Sequence, residues 1–137
     1  MADGIFDTLR AKVGRFLGDV DCQNLTVRGR MVNSPWATPT LTNGWVPNDA
    51  PAPTARNPLY RRLASGLEVL VGVVKNGGAN TSVFQLPVGH RPAAQRAFIC
   101  ATSAVTGIVF VNTDGTIVPQ GNLAWVQLDG ITFVAEQ

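Results

Sequence analysis

The sequence predicts a mainly β protein: an antiparallel β-sandwich head of jelly-roll type, preceded by a short amphipathic helix and an extended proline-rich connector, and trimeric. Three observations carry the prediction. From Leu59 to the end, apolar residues recur in short alternating runs cut by turn dipeptides such as Asn76-Gly77, Asp114-Gly115 and Asp129-Gly130. Nearly all of the prolines lie outside those runs, six of them between positions 35 and 58. Charged residues are only 15% of the 137, with 45% hydrophobic, against a usual charged share of about 25%. A small domain has much surface to solvate, so a charge-poor one is expected to cover part of itself with other copies of the chain.

Residues 1–20 form the first expected unit. Phe6, Leu9, Val13 and Phe16 recur at spacings of 3 and 4 and make one apolar stripe over a helix at 5–17. Asp3 suits its start and Gly18 its end. An isolated helix of this length is marginal in water, so the stripe needs a partner. The basic face that membrane-surface helices carry is missing, because Asp3, Asp7 and Asp19 offset Arg10, Lys12 and Arg15. Met1-Ala2-Asp3-Gly4 lacks the basic start of a signal peptide.

Residues 21–58 form the second unit. One strand is expected near Asn24–Val32, followed by a stretch in which Pro35, Pro39, Pro47, Pro51, Pro53 and Pro58 forbid helix or central strand. Residues 59–137 form the third, the head. Leu67–Val74 is its strongest expected strand, apolar on both faces, with Leu67, Val69, Val71 and Val73 on one side and Leu70 and Val74 beside Glu68 and Gly72 on the other. Further strands are expected at 81–86, 96–103, 106–112, 116–119, 123–128 and 131–134. Cys100, in the run Ala97–Ala101, and Trp125 are expected in the core.

Several function classes find no support in the residues. The net charge of +2 comes from scattered cations, which does not suggest a nucleic-acid partner. No nucleophile motif, phosphate loop or metal-ligand spacing occurs, so neither enzyme activity nor a cofactor or metal is expected. The single histidine, His90, sits in a turn and reads as structural. The acids of the head, Glu68, Asp114, Asp129 and Glu136, form no recognisable pair for glycoside hydrolysis.

Five phrases are distinctive: Leu59-Tyr60-Arg61-Arg62, Val69–Val74, Phe84-Gln85-Leu86-Pro87-Val88-Gly89-His90-Arg91-Pro92, Val111–Ile117 and Trp125–Phe133. In this order, from Leu41-Thr42-Asn43-Gly44-Trp45 to Phe133, they resemble the C-terminal head of bacteriophage tail-fibre and receptor-binding proteins. The resemblance implies a homotrimeric β-sandwich that touches host-surface saccharide during adsorption and joins other virion proteins of tail, baseplate or capsid. It implies a virion location, with assembly in the host cytoplasm and without a signal peptide. The short stretch before the head suggests a short fibre or spike. In that setting Phe6, Leu9, Val13 and Phe16 would serve trimer formation or virion attachment. A structural decoration of capsid or baseplate that binds no receptor is the alternative. Trp36, Trp45, Tyr60 and Trp125 are the aromatics available to sugars, and the sequence selects no receptor residue among them.

Overall fold

The protein is described here by a computed structural model in which residues 32–48 and 57–137 are placed. The attachment helix at 5–17, with Phe6, Leu9, Val13 and Phe16, and most of the strand expected at 24–32 lie outside the described residues. Among those described, nine strands form two antiparallel sheets. They are β1 Val46–Pro47, β2 Leu59–Arg62, β3 Leu67–Val71, β4 Val73–Lys75, β5 Arg96–Thr102, β6 Val105–Val111, β7 Ile117–Pro119, β8 Trp125–Gln127 and β9 Thr132–Val134. The order is β1-β4-β8-β5-β6-β7 in the larger sheet and β2-β3-β9 in the smaller. The β-sandwich expected from the alternation is therefore present.

The core lies between the sheets. Leu70 and Phe133 enter from the smaller sheet; Val74, Val126, Cys100, Val109, Val111 and Ile117 enter from the larger. Phe98 of β5 meets Phe133 of β9 at 6.4 Å between ring centroids, which ties one sheet to the other. Ring pairs at this distance add about 0.5–1.5 kcal/mol beyond the area they bury.

The apolar run expected as one strand at 67–74 is two strands, and they belong to different sheets. β3 pairs β2 and β9, while β4 pairs β1 and β8. The break is Gly72, at φ +105, whose missing side chain leaves room for Pro58: a Cβ there would lie 2.5 Å from the proline Cα. Its N–H donates to Asp129 Oδ1 and its carbonyl accepts from Leu128 N–H. A continuous, mostly apolar run thus changes layer at the one residue able to turn there.

The segment expected as a strand at 81–86 is extended but irregular. Val83 N–H donates to Ile117 O, Ile117 N–H to Phe84 O, and Leu86 N–H to Gly115 O. Val83 and Phe84 are both buried, and consecutive residues of a regular strand cannot share one face. The hairpin expected around Asp114-Gly115 is present, joining β6 to β7. Asp114 Oδ1 accepts from both the N–H and the hydroxyl of Thr116, and the hydroxyl bond first, then the amide, holds its carboxyl below the ordinary value.

The tryptophans exchange the places expected of them. Trp125 is only half-buried, because on β8 the alternation turns Val126 inward and Trp125 outward. Trp45, in the proline-rich stretch, is 3% exposed and part of the core. Its indole lies over Gly77, where any Cβ would overlap the ring, and its Nε1 donates to Thr81 Oγ1. Cys100 is buried as expected, and burial pushes its thiol up to about 11.

Trp45→Ala should therefore cost about 3–5 kcal/mol in urea unfolding, and Trp125→Ala clearly less; the reverse ranking would place the core wrongly. Gly72→Ala should cost more than about 3 kcal/mol, since a left-handed φ and a backbone overlap combine there. Gly121→Ala, at φ +89 in open space, should cost only about 1–2 kcal/mol.

Candidate functional site

The most unusual chemistry of the head lies where β3 meets the Pro87–Pro92 turn. Glu68 points inward with Leu70 and is completely buried. Two β2 residues flank it. Tyr60 stacks against Phe84 at 6.1 Å and meets the His90 ring edge-on at 5.4 Å. Arg62, the register partner of Glu68, donates from a terminal guanidinium nitrogen to Gly89 O at 3.0 Å.

From the turn, His90 Nδ1 comes to 2.9 Å of Glu68 Oε2. The other carboxylate oxygen, Oε1, is buried with no hydrogen-bond partner among the described residues. Burial raises the Glu68 carboxyl above its ordinary value, opposed by the His90 hydrogen bond and then by the charges of His90 and Arg62. Burial, and secondarily the Glu68 charge, raises the Tyr60 phenol in turn. His90, read from the sequence as structural, is thus paired with Glu68, some twenty residues away in the chain and adjacent in the fold. The spacing gave no sign of it, because only the β2–β3 pairing and the path of the turn bring the two together.

The turn is held from outside as well. Arg91 Nε donates to Leu86 O, and the Arg91 backbone exchanges hydrogen bonds with Glu136 and Gln137. With each flank fixed, Val88 stands at the crest, 77% exposed. The arrangement sets the shape of an exposed turn, and among the described residues no group of three His, Cys, Asp or Glu side chains could hold a metal ion.

Two further surfaces can meet a ligand. Trp36 is 39% exposed, with the Arg61 guanidinium 4.3 Å from its ring centroid. An aromatic face beside a fixed cation suits the apolar face and hydroxyls of a sugar. Nearby in sequence, an apolar cleft of about 380 Å³ is walled by Leu41, Trp45, Leu59 and three prolines, with Thr38 and Asn57 as its polar groups. Of the four aromatics weighed from the sequence, then, Trp36 is the exposed one, Trp45 and Tyr60 are structural, and Trp125 is partly open on the outer face of the larger sheet.

No protein-family model matches the chain. No curated protein matches it either. Among solved structures, the chain is similar to the receptor binding protein (gp15) of Listeria phage PSA, with a TM-score of 0.63 and 17% identity, over 99% of this chain and 76% of that one. The resemblance read from the head phrases and the comparison of folds agree: this chain has the fold of a phage receptor-binding protein.

Glu68→Gln tests the buried pair. A raised carboxyl value means that the folded state favours the protonated form, so this group's contribution to stability is lost as pH rises through the raised value. Gln keeps an acceptor for His90 and carries no charge. The stability of the variant relative to the parent should therefore increase with pH above the ordinary value of 4.5. Urea unfolding between acid and neutral pH measures it, and parallel curves would show that the buried charge is without cost.

Proposed function

We propose that this chain is a non-enzymatic virion structural protein, a short tail fibre or spike, whose head binds host-surface receptors during adsorption. The observation that carries the reading is the shared fold with a phage receptor binding protein over nearly the whole chain. The receptor class proposed is saccharide. The exposed Trp36 supports it: Arg61 covers one face of the ring, and the indole surface left open can meet the apolar face of a pyranose.

The working form is a homotrimer joined to other virion proteins, with Phe6, Leu9, Val13 and Phe16 as the attachment stripe. Trimers suit sparse glycans because several weak sites engaged together bind far more tightly than one, by about 10²–10⁴ over a single site. The charge-poor composition supports mutual covering of copies. Glu68 and His90 act in this scheme by holding the Pro87–Pro92 turn, a positioning role.

The purified protein should bind a narrow set of glycans on an array and compete with phage for host cells. Trp36→Ala should weaken that binding at least tenfold with an unchanged melting temperature. Protein that joins virion particles yet binds neither array nor cells would favour a decoration without receptor binding.

A further inference from the structure

Over β5, β6 and β7 the larger sheet is largely apolar on both faces. Directly opposed residues of an antiparallel pair share a face, and the register places Ala97 opposite Phe110, Ile99 opposite Ile108, and Phe110 opposite Val118. The alternate set, Phe98 with Val109 and Cys100 with Gly107, faces the core. The first set therefore points away from the molecule. Ile99 is 81% exposed and Ile108 47%, in the same cross-strand pair. These strands are interior to the sheet, so this is an open face and not an edge.

An antiparallel sheet with one face in water ordinarily carries polar residues on it. Here the outward positions of β5, β6 and β7 are Ala97, Ile99, Ala101, Thr106, Ile108, Phe110 and Val118, with no charge among them. The tip of the same hairpin is strained as well as apolar: Val105 has φ 78 and is 83% exposed. A β-branched residue in the left-handed region is a true outlier, at a position that suits Gly or Asn.

We propose that this outer face is a self-association surface, covered by a second copy of this chain, with the Ile99–Ile108 pair at its centre. The proposal rests on the homo-oligomeric reading above and names the surface it uses. Charge selects the occupant. The cores of interfaces between copies are depleted in charge and more apolar than the rest of the surface, which is the composition of this face. A lipid surface would instead call for several Lys or Arg around the apolar residues, and the outward positions of the larger sheet supply Lys75 alone.

Size bears on the partner as well. At about 4.8 Å between strands and 3.3 Å per residue, the outer face of β5, β6 and β7 spans roughly 270 Å² in plan, the centre of an interface whose standard size is about 800 Å² per partner. Trp125 and Gln127 of β8 continue the same face, opposite Lys75 and Val73 of β4, and form its rim.

Light scattering and sedimentation of the full chain at micromolar concentration test the proposal. The parent should show a multiple of the single-chain mass. Ile99→Asp should raise the dissociation constant at least tenfold, and Ile99→Thr with Ile108→Thr should do so while keeping strand-compatible residues and native circular dichroism. Val88→Asp, on the exposed turn outside this face, should leave the mass unchanged. A multimer unaffected by the Ile99 and Ile108 variants would overturn this surface and leave the oligomeric reading standing. A parent that is monomeric would overturn both. Flotation of the parent with anionic phosphatidylglycerol vesicles, lost on Ile99→Asp, would overturn the proposal in favour of a lipid surface.

Discussion

The layer change at Gly72 is the constraint on which the rest of the head depends. One mostly apolar run, Leu67–Val74, serves two sheets only because the chain turns at φ +105 against Pro58, where a side chain has no room. Asp129 secures the turn by accepting from Gly72 N–H with one oxygen and from Gln127 Nε2 with the other. The same hydrogen bonds place β8 beside β4 and start the final reversal into β9. Leu70 and Val74, on either side of the break, then contribute to one core from opposite layers.

Against that core the Glu68 carboxylate is an exception with a purpose. An unpaired buried charge costs several kcal/mol, and here one oxygen is met by His90 while the other has no partner among the described residues. The pair links the centre of the smaller sheet to the Pro87–Pro92 turn, which the C-terminal residues clasp from the other side. Buried polar contacts are directional where apolar ones are not, so they can fix a turn's path. A head that must present a defined surface gains shape from such a contact at some expense of stability.

Composition and architecture also agree on how the outside is used. A chain with 15% charged residues leaves the outward positions of β5, β6 and β7 without a charge, with Lys75 of β4 at the rim. A strained, exposed Val105 persists at the hairpin tip where Gly or Asn would relieve it. These features are costs for a solitary head and become intelligible when the face is covered in an assembly.

What the sequence by itself determined was local. Alternation located most of the strands, and Asp114-Gly115 and Asp129-Gly130 located turns, because both signals depend on neighbouring residues alone. The order of the head phrases pointed to the fold that the comparison found. Tertiary structure alone decided which side of each strand faces inward, and it divided the run 67–75 between two sheets. It placed Trp45 in the core and left Trp125 half-open, since the partner that completes a core arrives from a distant segment. It joined Glu68 to His90 by the same route. Strand register and sheet membership are properties of pairing between remote residues, and no local pattern carries them.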